Sequence, residues 1–74
     1  DIRVNAIGPG FVETPMTART AANAEGAARM LGMTPMGRLG VTEEIANTAL
    51  FLSTDQSSYT TGQILFPAGG MFTG

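Results

Sequence analysis

The stretch NAIGPGFVETPM, residues 5–16, decides how the chain is organised. It ends an alternating apolar run, IRVNAI, which predicts a β-strand over residues 1–7. The Gly-Pro-Gly triplet that follows is expected to stop the ladder, because proline lacks a backbone N–H and glycine adopts angles that other residues avoid. Residues 8–15 are therefore predicted to form a loop with short extended parts, since a residue preceding proline disfavours helix.

The rest of the chain predicts helical regions and a second strand. Residues 16–36 are rich in alanine, methionine and small polar residues, which predicts a mobile helical flap with a weak apolar stripe. The clearest helix covers residues 42–54, with Thr42 as N-cap and an apolar face that includes Leu50. A short apolar run at 63–67 predicts the second strand.

The order strand, loop, flap, helix, strand is that of a βαβ unit. Its two strands lie parallel and its helix packs on the sheet, so the predicted fold class is α/β. In open α/β sheets, ligands bind beyond the carboxyl ends of the strands. The loop at residues 8–15 follows such an end and is the predicted binding region.

The composition argues against an independent domain. The chain has 74 residues, 43% of them hydrophobic, with no cysteine and no histidine. A domain of this size buries only about 60% of its unfolded surface, and it usually depends on disulfides, a metal or oligomerisation. Cysteine and histidine are missing and the carboxylates are scattered, so neither a disulfide nor a metal site is expected. We expect the chain to be part of a larger protein.

Charge and hydropathy exclude further classes of function. Four arginines, no lysine and a pI near 4.7 argue against a nucleic-acid surface. No apolar run approaches the roughly 20 residues that span a bilayer, and no secretory leader is recognisable. The absence of cysteine fits a reducing compartment. The expected protein is soluble and cytoplasmic.

Three motifs follow one another along the chain: VNAIGPG at 4–10, GRLGVTEEIA with FLSTD at 37–55, and SSYTTGQILFPAGG at 57–70. In this order they resemble the C-terminal part of the short-chain dehydrogenases/reductases. The likeness is nearest to the branch that contains the 3-oxoacyl-carrier-protein reductases, and it covers essentially the whole chain. The sequence departs from the family pattern at Thr42, where proline is usual, and at Ala68, where aspartate is usual.

The resemblance implies a fold, an activity and an assembly. Residues 1–74 would be the C-terminal βαβ part of a single doubly wound, dinucleotide-binding (Rossmann) domain. The whole enzyme would use NAD or NADP to move a hydride between nicotinamide and a carbonyl or secondary alcohol of a small molecule. The segment's partners would be the remainder of the same enzyme and, in a homotetramer, a neighbouring subunit that packs against residues 43–54 and the last strand.

The resemblance also assigns four cofactor-binding residues. Val12 would present its backbone groups to the carboxamide of the nicotinamide, and the hydroxyl of Thr14 would contact the carboxamide or a nearby phosphate. Pro9 and Gly10 would let the chain pass close to the ring without an intervening side chain. A planar amide is suited to one donor and one acceptor in its plane, which extended backbone provides. The alternative for Thr14 is capping of the flap helix.

The remaining polar and apolar residues have weaker assignments. Met16, Met30 and Met33 are the candidate substrate flap, with a place in the core as the alternative. Arg38 is interpreted as a structural salt bridge or carbonyl contact rather than a substrate clamp. Glu44, near the start of its helix, is interpreted as a helix-dipole residue rather than an acid or base.

No catalytic residue is expected in this chain. The family's glycine-rich turn, catalytic serine and Y-x-x-x-K pair are not found, and Tyr59, the only tyrosine, is followed four positions later by Gln63. A tyrosine titrates near 10, so acid–base work near neutrality needs a cationic neighbour. Tyr59 is expected to pack in its turn, and Asn5 does not match the family's catalytic asparagine. The alternative reading is a non-catalytic fragment or remnant that only completes a sheet and a subunit interface.

Overall fold

The computed structural model describes residues 2–72 as a βαβ unit with two additional short helices. The two strands pair in parallel, with Ala6 opposite Ile64 and Ile7 opposite Leu65. The predicted α/β class and the parallel arrangement are therefore confirmed. The elements in chain order are β1 (Ala6–Ile7), α1 (Pro15–Ala21), α2 (Ala24–Gly32), α3 (Thr42–Leu52), a 3-10 turn (Asp55–Ser57) and β2 (Ile64–Leu65).

Hydrogen bonding between the two strand segments continues through the Gly-Pro-Gly triplet. Strand β1 ends at Ile7, directly before the triplet, yet the N–H groups on both sides of Pro9 still bond to the β2 side, because only every second N–H of a strand faces a given neighbour. Pro9 lies between two donating positions, so its missing N–H costs no bond to the β2 side. The N–H of Ala6 donates to the carbonyl of Gln63 (2.9 Å), that of Gly8 to Leu65 (2.8 Å) and that of Gly10 to Pro67 (3.4 Å).

Arg3 ties the beginning of the chain to the end of α3. Its guanidinium donates to four oxygens: the carbonyls of Leu52 and Thr54 at 3.2 Å each, the carbonyl of Thr60 at 3.1 Å and the hydroxyl of Ser57 at 3.0 Å. The last carbonyls of a helix have no partner within the helix, so a cation placed there satisfies them. Ser57 is only 2% exposed, which places part of this cluster in the interior.

Asn5 fastens the same strand to the segment before β2. Its side-chain amide donates to the Thr60 carbonyl at 3.0 Å, and its side-chain oxygen accepts from the Gln63 N–H at 3.0 Å. These two bonds give Asn5 a structural role at the start of the sheet.

Helix α3 begins one residue earlier than a cap at Thr42 would imply. Val41 occupies the N-cap position and Thr42 is the first helical residue, so the prediction of Thr42 as N-cap is wrong. The carboxylate of Glu44 supplies the cap instead, accepting from the Val41 N–H at 3.0 Å. Ile45 is partly buried, whereas Leu50 is 62% exposed and does not belong to the inward face.

The sheet buries one face more than the other. Arg3 points toward α3 and the 3-10 turn and is partly buried, whereas the alternate residues Ile2 and Val4, on the opposite face, are 92% and 70% exposed. Parallel sheets are normally covered on both faces. This uncovered apolar face fits the expectation that the chain is not an independent domain.

The alanine-rich region forms two short helices rather than one. They pack against each other, and the Asn23 side chain caps α2 by accepting from the N–H groups of Glu25 and Gly26. Met30 on α2 is 4% exposed and contributes to the small buried core together with Ala68. Within residues 2–72, no helix is both long and apolar enough to cross a membrane.

Candidate functional site

The loop after β1 is held in an extended conformation by Gly40. The N–H of Gly40 donates to the Phe11 carbonyl at 2.9 Å, and the N–H of Glu13 donates to the Gly40 carbonyl at 2.8 Å. These bonds form a parallel bridge between Val12 and Gly40. The loop thus runs as a short extra strand at the carboxyl end of the sheet, where α/β proteins bind ligands.

Val12 presents a donor and an acceptor at the other edge of this extended segment. The Phe11 carbonyl and the Glu13 N–H both point toward Gly40. In a strand, the N–H and carbonyl of successive residues point to alternate sides, so those of Val12 point away from Gly40. In the part of the chain that the structure describes, no hydrogen bond engages the N–H of Val12. Its carbonyl accepts one, from the hydroxyl of Thr17, which leaves a second lone pair available.

Thr14 has the role that was given as its alternative: it is the N-cap of α1. Its hydroxyl accepts from the Thr17 N–H at 3.3 Å, while the Thr17 hydroxyl accepts from the Thr14 N–H at 2.9 Å, which completes a reciprocal capping box. The hydroxyl of Thr14 lies 3.4 Å from that of Thr17 and can donate a hydrogen bond. Capping and ligand contact therefore do not exclude each other.

Thr17 is a residue of this site that the sequence analysis missed. Its hydroxyl donates to the Val12 carbonyl at 2.6 Å and lies 3.1 Å from the Thr14 carbonyl. The only sequence signal is a threonine at the third helical position after a threonine cap, which is a variant of the capping box. That pattern indicates the contact with Thr14 but not the one with Val12.

Gly10 has a packing reason for its missing side chain. A Cβ built on Gly10 would lie 2.8 Å from both the Cα and the Cβ of Ala68, which is 6% exposed. Gly8 has a similar neighbour, because a Cβ there would lie 2.6 Å from the ring of Phe66. Close approach of the two chain segments therefore accounts for both glycines, and Pro9 is exposed beside them. Their contact with a cofactor ring stays a prediction.

The three candidate flap methionines have different surroundings. Met30 is 4% exposed, in agreement with the alternative of a core residue, whereas Met16 is 84% and Met33 is 52% exposed. The three therefore do not form one continuous apolar lining within residues 2–72. Substrate contact stays a prediction for the two exposed methionines.

Arg38 makes both of the structural contacts expected of it. Its guanidinium donates to both carboxylate oxygens of Glu44 at 2.9 Å and to the carbonyl of Leu39 at 3.1 Å. The hydrogen bond from Arg38, followed by that from the Val41 N–H, lowers the pKa of Glu44 to about 2. Glu44 is therefore a carboxylate at neutral pH, acting as a cap and ion-pair partner.

A cavity of about 250 Å³ lies beside the loop rather than within it. None of the four predicted cofactor-binding residues lines it. The cavity separates the start of α3 from the end of β2, and its walls include Phe11, Thr34, Met36, Arg38, Ile45 and Phe66. The predicted site is thus an open backbone edge, separate from this partly open cavity.

Tyr59 is fully exposed, with no packing around it in the described residues. The expectation that it packs in its turn is wrong, since the polar segment from the 3-10 turn to β2 places it outside the fold. Without a lysine in the sequence, no Y-x-x-x-K pair can form here. What the loop offers to a ligand is the N–H and the carbonyl of Val12 on one edge.

A parallel βαβ unit with an open backbone edge at the carboxyl end of β1 is typical of the dinucleotide-binding class of α/β proteins. The sequence profile described as "Enoyl-(Acyl carrier protein) reductase" matches residues 1–72. The chain belongs to this family of short-chain dehydrogenases/reductases, as the resemblance implied.

Curated relatives and solved structures agree with this assignment. The 3-oxoacyl-[acyl-carrier-protein] reductase of Thermotoga maritima is 49% identical over 71 residues, which are 96% of this chain. The 3beta-hydroxysteroid dehydrogenase 1 of Eggerthella lenta is 47% identical over 95% of this chain. A structure from Agrobacterium tumefaciens, described as a 2-deoxy-d-gluconate 3-dehydrogenase with bound NADP, has a TM-score of 0.91 and 43% identity over 95% of this chain.

The match covers a limited part of each relative. The chain spans 28% of the length of the Thermotoga reductase, 27% of the Eggerthella dehydrogenase and 28% of the Agrobacterium protein. The 74 residues therefore correspond to a segment of a short-chain dehydrogenase/reductase.

Proposed function

We propose that this segment forms the nicotinamide side of the active site in an NAD(P)-dependent oxidoreductase. The whole enzyme transfers a hydride between nicotinamide and a carbonyl or secondary alcohol carbon of a small molecule. In this proposal residues 8–15 are the nicotinamide loop and residues 16–36 are the substrate flap. The cofactor-binding residues are Pro9, Gly10, Val12 and Thr14, and the flap contacts come from Met16 and Met33.

The observation that carries the proposal is the open edge of Val12. Its N–H, which no hydrogen bond engages within residues 2–72, and its half-used carbonyl lie on one extended segment, and together they are the donor and acceptor that a primary carboxamide requires. The names of the relatives add support, since one reduces a 3-oxo group and another is a 3β-hydroxy dehydrogenase. A similar solved structure carries bound NADP, which favours a nicotinamide dinucleotide as the ligand.

The role of the segment is to bind and orient. When bound, the dinucleotide supplies the hydride that is exchanged at C4 of its nicotinamide ring. The Val12 N–H would donate to the carboxamide oxygen, and the Val12 carbonyl would accept from the carboxamide NH₂ group. These two bonds fix which face of the ring meets the substrate, since a planar amide held at both ends cannot rotate. The proton that accompanies the hydride must come from residues outside this chain.

The assembly and location proposed for the enzyme rest on the resemblance and on composition. We propose a homotetramer in which residues 43–54 and the β2 segment contact a neighbouring subunit. Leu50 and Phe51, 62% and 39% exposed, give that helix an uncovered apolar surface. A cytoplasmic location is proposed because a chain without cysteine suits a reducing compartment.

The test uses the complete enzyme that contains this segment. NADH and NADPH are titrated with fluorescence detection, and oxidation of the preferred form is followed with a panel of ketones. Binding of one dinucleotide and ketone-dependent oxidation are expected. Failure to bind either dinucleotide would overturn the proposal and favour a non-catalytic remnant.

A second measurement addresses the carboxamide contact. The 3-acetylpyridine analogue of the dinucleotide keeps the acceptor oxygen but lacks the NH₂ donor. We expect it to bind about 3–10-fold more weakly than the natural form, which corresponds to one lost hydrogen bond. Equal affinity for the two forms would contradict the placement of the carboxamide at the Val12 carbonyl.

A further inference from the structure

We propose that Thr17 is a positioning residue for the backbone groups that receive the nicotinamide carboxamide. It would act through Val12 and Thr14 rather than by touching the ligand. This inference rests on the proposed function, because it assigns a task to a side chain that neither the family motifs nor the sequence analysis singled out.

The Thr17 hydroxyl bridges two backbone groups of the loop. It donates to the Val12 carbonyl at 2.6 Å and accepts from the Thr14 N–H at 2.9 Å. A hydroxyl has one hydrogen to donate and two lone pairs, so these two bonds are compatible with each other. The bridge fixes the peptide groups on either side of Glu13 relative to α1.

The bridge complements the contact that Gly40 makes on the opposite edge. Gly40 holds the loop through the Phe11 carbonyl and the Glu13 N–H, and the Glu13 N–H shares one planar peptide unit with the Val12 carbonyl. Thr17 holds the same peptide unit from the α1 side, by a bond to the carbonyl itself. Because the carbonyl keeps a second lone pair, it can hold the Thr17 hydroxyl and a ligand N–H at the same time.

Capping of α1 alone does not account for this geometry. A capping box needs only the reciprocal contacts between the cap residue and the third helical residue. Thr17 makes both with Thr14 and then adds the Val12 bond, which reaches five residues back and is the shortest of its contacts. The additional bond is directed at the residue with the open edge.

The experiment compares two threonine-to-valine variants of the complete enzyme. Thr17→Val removes the bridging hydroxyl with little change of shape. Thr20→Val is the matched control, because Thr20 lies on the same helix, is exposed, and its hydroxyl makes no hydrogen bond within residues 2–72. Affinity is measured for the preferred dinucleotide and for the matching ADP-ribose, which lacks nicotinamide.

The expected result is selective. Thr17→Val should weaken binding of the dinucleotide about 5–10-fold, as expected for one misplaced acceptor. Its affinity for ADP-ribose should stay within about 2-fold of the wild-type value. Thr17→Ser, which keeps the hydroxyl, should restore dinucleotide binding, and Thr20→Val should change neither ligand. A loss of affinity that is equal for both ligands, or no loss at all, would overturn the role of Thr17 while the proposed function stands.

Two further observations keep the inference testable if Thr17→Val does not fold. The unliganded wild-type enzyme should show slow amide hydrogen exchange at Thr14, because the Thr17 hydroxyl accepts its N–H. Fast exchange there would contradict the bridge. If the wild-type enzyme binds ADP-ribose as tightly as the dinucleotide, the nicotinamide adds no affinity. That result would overturn the proposed function, and the role of Thr17 with it.

Discussion

The two halves of this segment are held together in different ways. One half, here called the scaffold, comprises β1, α3, the 3-10 turn and β2, and side chains join parts of it that are far apart in sequence. The bonds from Arg3 to Leu52 and from Arg3 to Thr60 span 49 and 57 residues. The other half is the helical pair, α1 and α2 at residues 15–32. Within residues 2–72, the side-chain hydrogen bonds of this pair reach at most five residues along the chain.

The scaffold and the helical pair should therefore differ in how independently they can open. Long-range bonds order a region only when the whole fold is present, whereas local caps and turns can open and close independently. Binding residues are often placed on loops that a rigid scaffold positions. The local bonding of the helical pair supports the flap role proposed for residues 16–36.

Val12 lies where the two halves meet. Gly40, two residues before α3, holds the loop from the scaffold side, and Thr17 holds it from the side of the helical pair. A change in either half can therefore reach the proposed carboxamide contacts. The following substitutions, made in the complete enzyme, test how independent the two halves are, starting with the largest expected effect.

Arg3→Ala should break the scaffold. It leaves the carbonyls of Leu52, Thr54 and Thr60 without their charged donor, and we expect the free energy of unfolding to fall by about 2–4 kcal/mol. The measurement is chemical denaturation, with Arg19→Ala as control because no hydrogen bond engages that side chain among the described residues. Equal stability of the two variants would show that the Arg3 cluster does not hold the scaffold.

Gly10→Ala should strain the scaffold at the loop. The new Cβ would meet the Cα of Ala68, a backbone atom that cannot move aside, so a loss of about 1–3 kcal/mol is expected. Gly8→Ala should cost less, because it meets the ring of Phe66, which is 50% exposed and can turn away. Thermal unfolding gives the order, and a larger loss for Gly8→Ala would contradict this packing.

Gly32→Ala should stabilise the helical pair and leave the stability of the scaffold unchanged. Gly32 lies within α2 and no atom lies within 4 Å of a Cβ built there, so alanine fits without strain. A gain of about 0.5–1 kcal/mol is expected from reduced backbone entropy in the unfolded chain. Hydrogen exchange should slow in α2 but not in α3, and slowing in both helices would indicate that the two halves unfold together.

Glu44→Gln should give the smallest effect, and it should depend on pH. The pKa of Glu44 is lowered from 4.5 to about 2 in the folded state by its bonds to Arg38 and Val41. Its charge therefore stabilises the fold fully above about pH 4.5, and this contribution is lost as the pH falls toward 2.

The measurement is the difference in Tm between wild type and Glu44→Gln at a series of pH values. It should be present at neutral pH and disappear at low pH. Glu43→Gln serves as control, since no ion pair involves Glu43 in the residues that the structure describes. A difference that stays constant down to pH 2 would contradict the role of the charge.

Local sequence signals predicted much of the fold and part of the site. The alternation before Gly8 and the acidic start of α3 are patterns of adjacent residues, so strand, helix and their order follow from them. The kind of contact that Arg38 makes was also predicted, although its partner Glu44 was not. The capping role of Thr14 was kept as an alternative because a helix cap is a local pattern.

The roles of Pro9 and Gly10 could not be read from the sequence, because they depend on which groups face one another in the fold. Pro9 looks like a strand breaker, and only the parallel pairing with β2 shows that its missing N–H faces away from the neighbouring strand. Gly10 looks like a residue chosen for ligand approach, whereas its Cβ position is taken by Ala68 from 58 residues further on.

By itself, the sequence determined the βαβ order, the family and the loop that follows β1, because local periodicity and the order of the motifs are enough to predict them. The tertiary structure alone decided that Arg3 closes the end of α3 and that Gly40 and Thr17 hold Val12 between them with one edge open. The physical reason is that hydrogen-bond partners are chosen by distance and direction in three dimensions. A peptide group has the same chemistry at every position until the fold sets what lies opposite it.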